Sequence, residues 1–430
     1  MSKTKKFVIG LAAALVLLFM VLVLAVGLVL SQGKTLGERH RPFQPVEKFD
    51  FAAATAAALT ADTSLSVFSD YISWTQKRLR SARLDATAED VIDKLSPFML
   101  LPDQSCPLGA DGKYPRGIVL THGLFDSAYS MRNIGAYFQA RCFLVVGLLL
   151  PEHGSRPGDF LTTNWREWAA AEHFAATVMA HRVENIYLGG HSVGGALSVL
   201  EAATNPAVDA LILFAPALGI SATARYAKFI VPLGRLFPAA AWLAVEPDNA
   251  IYRYESFTFG AAAETYALTQ RLAQALAAKP LNIPVFTAAS MEDNTVSTAA
   301  IVDFMAQQPD PASTMLLYSQ HPLAAGPNVK VYISKAPEQG VLSLSHLGLM
   351  VAPTDPYYGR NGVYKSCGHY ATREPENLRP CQAGQRDFYG EITAENLQQG
   401  VLERIAFNPF YTDLLADIDD FIARIATEAL

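Results

Sequence analysis

The 430-residue sequence is poor in charged side chains and in cysteine. Only 17% of its residues are charged, against roughly 25% in an average globular protein. Its 34 basic and 40 acidic side chains leave a net charge of −6, which excludes a basic nucleic-acid-binding protein and a disordered polyelectrolyte. It contains no CxxC motif, no HExxH motif and no cluster of cysteine and histidine, so the pattern predicts no metal site.

Long apolar runs are also missing, except for Phe7–Leu30, which spans 24 residues without a charged or hydrogen-bonding side chain. As a helix it would be about 36 Å long, enough to cross a hydrocarbon core of about 30 Å. Lys3, Lys5 and Lys6 precede the run as in a signal peptide, and Ala25–Gly27 offers a weak cleavage site. Because cleavable apolar regions are usually about 7–15 residues long, we expect a retained transmembrane signal anchor, with cleavage and secretion as the alternative.

The charges on either side of this run give only a slight positive-inside bias. Three lysines precede the run, and three basic residues, Lys34, Arg39 and Arg41, follow it, so the positive charges on its two sides are nearly equal. The simpler topology has a short cytoplasmic tail at residues 1–6 and places the body on the extracytoplasmic side, periplasmic or lumenal. We therefore expect a single-pass membrane protein.

The four cysteines fit an oxidising compartment. Cys367 and Cys381 bracket a turn-rich stretch that has little apolar content to hold it in place. A Cys367–Cys381 disulfide is expected there, which leaves Cys106 and Cys142 as a second pair. Four cysteines permit three pairings, and free buried thiols are the alternative.

The body begins with helical composition and then changes character. Helical segments are predicted over Ala52–Leu59, Leu65–Arg83 and Ala86–Leu95. From Gly117 onward, short apolar runs alternate with helical stretches, which is typical of a mostly parallel sheet covered on both faces. These runs are Gly117–Thr121, Cys142–Leu150, Ile186–Leu188, Ala210–Ala215 and Ile283–Ala288.

Residues 221–281 interrupt the alternation with apolar and aromatic residues, and we predict an inserted helical cap there. Two amphipathic helices are predicted outside the cap, over Asn164–His181 and Tyr411–Ala426. The predicted units are a tail at 1–6, an anchor at 7–30, a tether and helical preface at 31–110, a core at 111–220 and 282–430, a cap at 221–281, and a cysteine-containing insertion at about 351–391.

The sharpest local signal is the sequence GGHSVGG at Gly189–Gly195, which follows the run ending at Leu188 and precedes a helical run, Ala196–Thr204. A serine on a tight strand-to-helix turn needs glycines on both sides, because the strained backbone leaves no room for neighbouring Cβ atoms. The spacing predicts Ser192 as a nucleophile. His191 beside it is expected to pack in the turn rather than to act in catalysis.

A serine hydroxyl needs a general base, and the base needs a carboxylate to orient it. Asp293 follows the run Ile283–Ala288, in a loop at the carboxyl end of a strand, where sites of open α/β sheets are built. His346 follows another short apolar run that begins at Gly340. The chain order Ser192, Asp293, His346 is that of α/β-hydrolases.

Both assignments have alternatives. Asp293 could instead cap a helix over Val296–Met305, and Glu292 is a second candidate acid. His321 and His369 also lie downstream of Asp293. They are less favoured, because His321 precedes a proline and His369 lies inside the predicted disulfide loop.

Acyl transfer also needs backbone donors aimed at the oxyanion. One is the N–H of Val193, the residue after the nucleophile. The other is expected from the loop Thr121–Phe125, with Leu124 as first choice and Phe125 as second. In the same loop, His122 as a base or metal ligand is the alternative.

Together these residues resemble the α/β-hydrolase superfamily, and within it the branch of monoacylglycerol lipases, bacterial carboxylesterases and serine aminopeptidases. The resemblance covers residues 115–350 and the final helix. The motifs that carry it are His122-Gly123 with Ser127, Leu150–Gly154 with Trp165 and Trp168, Gly190–Gly194, Asp293 with Val296, and Ser345-His346.

This resemblance implies an α/β-hydrolase fold, with a mostly parallel central sheet, helices on both faces and an inserted cap. It implies Ser192, Asp293 and His346 as a catalytic triad, with Leu124 and Val193 as oxyanion donors. The 53 residues between the acid and the histidine exceed the usual spacing, which predicts an insertion around Pro309–Pro327.

The leading hypothesis is a membrane-anchored serine hydrolase that cleaves acyl esters or lipids through an acyl-enzyme and needs no cofactor. One alternative is a peptidase or amidase of the serine aminopeptidase type, which would need charged groups in the cap. The cap offers only a few such residues, including Arg225, Arg235, Glu246, Asp248, Arg253 and Glu255. The other alternative is a catalytically silent hydrolase fold that only binds. The oligomeric state is not predictable from the sequence.

Overall fold

The structure is a computed structural model that describes residues 3–44, 47–59, 61–84 and 88–428. Among these residues there are twelve strands: β1 Phe98–Leu100, β2 Tyr114–Thr121, β3 Phe143–Gly147, β4 Val183–His191, β5 Val208–Phe214, β6 Trp242–Ala244, β7 Phe257–Thr258, β8 Val285–Ser290, β9 Thr314–Ser319, β10 Val329–Ile333, β11 Phe388–Gly390 and β12 Leu402–Arg404.

Eight of these strands form the central sheet, in the order β1-β3-β2-β4-β5-β8-β9-β10. Strand β1 pairs antiparallel with β3, and every other neighbouring pair is parallel. The middle strands are buried almost throughout, as expected of strands that helices cover on both faces. The predicted α/β fold with a mostly parallel sheet is confirmed.

Fourteen α-helices occur in the described part of the chain: α1 Lys3–Ser31, α2 Phe51–Ala57, α3 Ala61–Ala82, α4 Glu89–Leu95, α5 Arg132–Gln139, α6 Trp165–Ala180, α7 Val193–Thr204, α8 Ala227–Ile230, α9 Phe259–Ala278, α10 Thr298–Ala306, α11 Tyr370–Arg373, α12 Pro375–Gln382, α13 Ala394–Leu397 and α14 Tyr411–Glu428. Helices α6, α7 and α9 contact one another. Helix α14 packs on the sheet through Phe421, whose ring lies 5.6 Å from that of Phe286 in β8.

The five predicted strands correspond to β2, β3, β4, β5 and β8. Strands β1, β9 and β10 were not predicted. Strands β9 and β10 extend the sheet and account for much of the long spacing between Asp293 and His346. Strand β10 shows no clear apolar run in the sequence, because it is short, contains Lys330 and has no fully buried residue.

The predicted preface helices correspond to α2, α3 and α4. Part of the tether, at residues 45–46, and the first two residues of the predicted Ala86–Leu95 helix lie outside the described residues. Helix α6 begins as predicted, because the Asn164 side chain accepts a hydrogen bond from Arg166 N. The Glu167 side chain, in the first turn of α6, contacts Lys48.

The predicted cap at 221–281 contains two different parts. Residues 221–258 form short helical turns, α8 and the two-stranded β6–β7 sheet. The remaining part is mainly α9, which packs against α6 and α7 of the core. Helix α9 also contacts α8, so the predicted bounds of the cap stay a prediction.

Both expected disulfides are present, Cys106–Cys142 and Cys367–Cys381. The second pair is buried in a small apolar cluster with Tyr370, separate from the main core. This cluster holds α11 and α12 in the predicted cysteine-containing insertion. The free-thiol alternative is wrong.

The predicted anchor Phe7–Leu30 lies within α1. None of the helices formed by the described residues is both long enough and apolar enough to cross a membrane, so the anchor is not confirmed and stays a prediction. The end of α1 lies against the cap, where Lys34 Nζ donates to the carbonyl oxygens of Leu30 and Trp242.

Candidate active site

Ser192 lies on a sharp turn between β4 and α7, with φ 55° and ψ −118°. This conformation is strained for a residue with a side chain. Surrounding backbone bonds hold it: Ser192 N donates to Phe214 O at 3.0 Å, and Ala217 N donates to Ser192 O at 2.8 Å. The side chain is 7% exposed, at the carboxyl end of a central strand.

The flanking glycines are required by close backbone contacts. A Cβ at Gly190 would lie 2.4 Å from the carbonyl carbon of Gly194, and a Cβ at Gly194 would lie 2.1 Å from Thr121 O. Both distances are far below any normal carbon contact. The turn can therefore form only where side chains are absent on both sides of Ser192, as the glycine spacing predicted.

Asp293 and His346 meet although 53 residues separate them in the chain. His346 Nδ1 lies 2.7 Å from Asp293 Oδ2, and both side chains are almost fully buried. Asp293 Oδ1 accepts hydrogen bonds from the N–H groups of Thr295 and Val296. Burial alone would raise the pKa of Asp293, but His346 and these hydrogen bonds hold it below its ordinary value.

The alternative readings of this loop do not fit the structure. Helix α10 is capped by Ser297, whose hydroxyl accepts a hydrogen bond from Ala300 N, so Asp293 is not its cap. Glu292 instead accepts hydrogen bonds from Gln320 N and the Ser290 hydroxyl. Its carboxylate is therefore committed to groups other than His346.

The two other candidate histidines lie outside this site. His321 is largely exposed and sits 3.4 Å from Glu395. His369 lies beside Tyr370, with ring centroids 4.1 Å apart. Neither lines the cavity that contains Ser192.

The predicted oxyanion loop lies directly beside Ser192. A Cβ at Gly123 would be 3.1 Å from the Ser192 Cβ, and Leu124, Phe125 and Val193 all line the same cavity as Ser192. Phe125 has φ 63°, and its carbonyl oxygen accepts a hydrogen bond from Tyr254 N at 2.7 Å. This contact ties the loop to the cap.

The His122 ring is buried and hydrogen-bonded to the backbone through both of its nitrogens. Leu150 N donates to its Nε2 at 3.0 Å, so Nδ1 carries the proton and donates to Gly123 O at 2.8 Å. Burial, followed by the nearby His153, lowers its pKa well below the ordinary value. A neutral ring with both nitrogens engaged is available neither to a metal nor for proton transfer. Within the described ranges, no group of three or more acidic, histidine or cysteine side chains could hold a metal ion.

His191 contacts the predicted base rather than acting as one. Its Nε2 donates to His346 O at 2.9 Å, and the two rings lie 4.7 Å apart. Burial and the neighbouring His346 lower its pKa to about 3, so it is neutral at physiological pH. His191 thus packs in the turn, as expected, and also positions the backbone of His346.

Ser192 and His346 line one cavity of about 590 Å³ between the core and the cap, within the usual range for small-molecule sites. Its apolar walls come from the oxyanion loop and the cap: Leu124, Phe125, Ile220, Ala224, Ala227, Ile230, Leu243, Phe257 and Phe259. Four charged residues also line it: Asp126, Arg253, Glu255 and Arg404. Burial raises the pKa of Asp126 to about 6, so it titrates near neutrality.

Sequence reasoning missed Glu391 and Arg404, which come from beyond the cysteine cluster. Glu391 is fully buried, and its Oε2 accepts a hydrogen bond from His346 N at 3.2 Å. Arg404 Nε lies 2.7 Å from Glu391 Oε1, and its Nη2 also donates to Thr295 Oγ1. The only local signal was an acidic residue directly after the short apolar run Phe388–Gly390.

Comparison with known proteins identifies one protein family and two curated relatives. The sequence matches the Alpha/beta hydrolase family over residues 118–376, more than half of the chain. It is 26% identical to the thermostable monoacylglycerol lipase of Bacillus sp. (strain H-257) over 26% of this chain and 44% of that protein. It is 28% identical to the lysosomal thioesterase PPT2 of Mus musculus over 32% of this chain and 46% of that protein.

The solved monoacylglycerol lipase of Paleococcus ferrophilus aligns with 17% identity and a TM-score of 0.40, over 52% of this chain and 88% of that one. The chain spans less than half the length of the two curated relatives it matches. The first helix, the preface and all residues after 376 lie outside the family match.

Proposed function

The chain belongs to the alpha/beta hydrolase family, and on this premise we propose that it is a serine hydrolase of carboxylic esters that acts through Ser192, His346 and Asp293. The observation that carries the proposal is the buried Asp293–His346 pair at 2.7 Å, which faces the same cavity as a serine held in a strained turn. A buried carboxylate, an imidazole and such a serine are what acyl transfer needs.

In this mechanism the Ser192 hydroxyl attacks the ester carbonyl carbon, and His346 accepts the hydroxyl proton. Asp293 holds the imidazole by its Nδ1–H and stabilises the positive charge that forms. The N–H groups of Leu124 and Val193 stabilise the oxyanion. His346 returns the proton to the leaving alcohol, and water then releases the acid from the acyl-enzyme by the same steps.

Lipid-like acyl esters are the substrate class that the cavity favours. Its walls are mainly apolar, and the cap exposes large apolar side chains to the outside, among them Phe229 at 65% and Leu236 at 68% exposure. Exposed apolar groups of this size mark surfaces that meet other apolar material. Esters with medium-length acyl chains are expected to be turned over with higher kcat/KM than acetyl esters, and equal values would contradict this assignment.

Covalent labelling with a fluorophosphonate tests the activated serine. Wild type should carry the adduct on Ser192, located by mass spectrometry, and Ser192→Ala should not react. Ser221→Ala is the matched control, because Ser221 also lines the cavity and its hydroxyl is hydrogen-bonded to that of Thr223. A folded protein that takes up no label would instead favour a hydrolase fold that binds without catalysis.

Amide hydrolysis is the second candidate, because charged groups reach the cavity. Of the charged cap residues, Arg253 and Glu255 line it, together with Asp126 and Arg404 from the core side. Such groups could bind the charged ends of a peptide. Aminoacyl p-nitroanilides compared with the matching p-nitrophenyl esters would decide, since a peptidase should cleave the anilides at a comparable kcat/KM.

For localisation we propose a membrane anchor at Phe7–Leu30 with the catalytic body outside the cytoplasm. The uncharged 24-residue run and the two disulfides support this, since disulfides persist in oxidising compartments. The expected result is recovery in the membrane fraction after alkaline extraction, with the body open to protease from the extracytoplasmic side. Recovery in the soluble fraction would contradict it.

A further inference from the structure

An ion pair from the part of the chain beyond the family match reaches the candidate active site. Glu391 directly follows β11 and Arg404 ends β12, and Gly390 and Arg404 are paired in the parallel sheet that these two strands form. Glu391 is fully buried, whereas Arg404 lines the catalytic cavity with 16% of its side chain exposed. The small sheet therefore brings a carboxylate and a guanidinium side by side at the wall of the site.

The two side chains form a bidentate ion pair. Arg404 Nε donates to Glu391 Oε1 at 2.7 Å, and Arg404 Nη2 donates to Glu391 Oε2 at 2.8 Å. Two parallel hydrogen bonds of this kind fix the orientation of both planar groups. Removing one partner of a buried ion pair would leave the other charge uncompensated. Each group therefore depends on the other for its position.

Glu391 also holds the backbone at the catalytic histidine. Its Oε2 accepts a hydrogen bond from His346 N at 3.2 Å, and its Oε1 accepts one from Ile392 N at 2.7 Å. On the other side of the same residue, His346 O accepts a hydrogen bond from His191 Nε2 at 2.9 Å. Side chains therefore hold both the N–H and the carbonyl group of His346, in addition to the contact between its ring and Asp293.

Arg404 holds the loop that carries the catalytic acid. Its Nη2 donates to Thr295 Oγ1 at 2.9 Å and to Asn294 Oδ1 at 3.4 Å, and Asn294 Nδ2 donates to Ile392 O at 2.9 Å. Asn294 and Thr295 directly follow Asp293, whose Oδ1 accepts a hydrogen bond from Thr295 N. One ion pair thus contacts both the loop of the acid and the backbone of the histidine.

From these contacts we infer that this ion pair positions His346 against Asp293. The inference rests on the proposed function and adds two positioning residues to it, Glu391 and Arg404. Both act through backbone groups and the Thr295 hydroxyl, so they fix the distance between the two loops that must meet at 2.7 Å. Because a misplacement of about 1 Å can cost about 10²-fold in rate, a chain lacking this ion pair should keep its fold and lose turnover.

Steady-state kinetics of the full chain on a soluble p-nitrophenyl ester test the role. Glu391→Gln should lower kcat by about 10–100-fold, while KM changes less than about twofold, because the ion pair acts on the chemical step and not on substrate binding. Glu403→Gln is the matched control. Glu403 precedes Arg404 in β12, is 4% exposed, and lies 3.0 Å from Arg386, so its loss also breaks a buried ion pair of this sheet. It should leave kcat unchanged.

A second measurement reads the position of the imidazole without hydrolysis. In protein labelled with ¹⁵N-histidine, the Nδ1–H proton of His346 should give a low-field NMR signal, because it lies between the ring and a carboxylate. Asp293→Asn should abolish the signal and so assign it. Glu391→Gln should weaken or broaden it, and Glu403→Gln should leave it as in wild type. An unchanged signal in Glu391→Gln would overturn the inference.

Chemical rescue tests the guanidinium itself. Arg404→Ala should lose kcat as Glu391→Gln does, and added guanidinium chloride should restore part of it, since the side chain that it replaces lines the cavity and the ion has the same planar set of donors. Sodium chloride at equal ionic strength should restore nothing. A raised KM at unchanged kcat in Arg404→Ala would overturn the inference, because Arg404 would then bind substrate instead of positioning the acid loop.

The two proposals fail in different ways. Wild-type kcat in Glu391→Gln, measured beside an active wild type, would overturn the positioning role and leave the serine hydrolase intact. A wild type that neither hydrolyses esters nor takes up the fluorophosphonate would overturn the proposed function. The Nδ1–H signal of His346 would still decide whether Glu391 sets the position of the imidazole.

Discussion

Asp293 divides its two carboxylate oxygens between two tasks. One oxygen accepts backbone N–H groups of its own loop, and the other faces His346 Nδ1. The first set of bonds orients the second oxygen toward the imidazole, as the proposed triad requires. This division gives the residue a role that a neighbouring carboxylate cannot take over.

Asp293→Asn is expected to lower kcat by about 10³–10⁴-fold, because an amide favours the wrong imidazole tautomer. Steady-state hydrolysis of a p-nitrophenyl ester measures the effect. Glu292→Gln is the control, since Glu292 is also partly buried but contacts Gln320 and Ser290. A similar loss of kcat in both variants would show that the conformation of the loop, rather than the Asp293–His346 contact, determines the activity.

The residues predicted around the turn carry a local sequence pattern, and the structure brings Asp293 and His346 together. Ser192 stands between glycines, and Asp293 and His346 each follow a short apolar run. Glu391 and Arg404 were not predictable, because their importance depends on meeting His346 N and Thr295 across the fold. Glu391 and Arg404 lie far along the chain from the residues they contact, so no spacing in the sequence indicates their ion pair.

At the scale of elements, the contact between α7 and β2 decides whether the turn can form. Helix α7 approaches the end of β2 so closely that a Cβ at Gly194 would lie 2.1 Å from Thr121 O. Alanine is favoured over glycine in helices by about 1 kcal/mol. The steric overlap with rigid backbone exceeds this gain.

Gly194→Ala should therefore lower the free energy of unfolding by about 2–4 kcal/mol, measured by urea denaturation. Gly326→Ala is the control, because a Cβ there meets nothing within 4 Å, and it should change stability by no more than about 0.5–1 kcal/mol. Wild-type stability in Gly194→Ala would mean that the strand and the helix can separate at small cost.

Glu172 joins three elements of the core. It lies in α6, fully buried, and accepts hydrogen bonds from Thr121 Oγ1 in β2 and Ser198 Oγ in α7. Burial raises its pKa to about 8. The protonated form is thus the one that the folded state favours at neutral pH.

A raised pKa stabilises the fold at low pH, and this contribution is lost as pH rises through about 8. Wild type should lose on the order of a few kcal/mol of stability between pH 5 and 9 relative to Glu172→Gln, which cannot ionise. Denaturation at several pH values measures the difference. The exposed Glu184→Gln should follow wild type, and parallel curves for wild type and Glu172→Gln would contradict the raised pKa.

Elements with strong periodicity were predictable from sequence, whereas edge elements were not. The buried strands β2 to β5 and β8 read as continuous apolar runs, and α6 and α14 show helical spacing. Strand β1 has three residues, and β10 is only partly buried, so neither carries a run that could be distinguished from a loop. Composition marks no boundary between the first part of the cap and α9, because both are apolar, and α9 contacts both α7 and α8.

At the scale of the whole molecule, the segment that follows His346 returns to the candidate active site and contacts it. It holds its own small apolar cluster around Cys367 and Cys381 and returns Glu391 and Arg404 to the base and the acid loop. The two disulfides therefore differ in what they secure. Cys367–Cys381 holds this supporting segment, whereas Cys106–Cys142 ties the chain before β2 to the start of β3.

Removing each disulfide separates stability from activity. The loops they close span 14 and 36 residues, so on a chain-entropy basis each removal should cost about 3–4 kcal/mol, slightly more for Cys106–Cys142. Activity should follow the opposite order, because loss of Cys367–Cys381 loosens Glu391 and with it the backbone of His346. The Cys367→Ser/Cys381→Ser protein should show lower kcat and faster amide exchange over residues 351–404 at temperatures where both variants are folded. If the Cys106→Ser/Cys142→Ser protein lost as much kcat, overall stability rather than support of His346 would explain the effect.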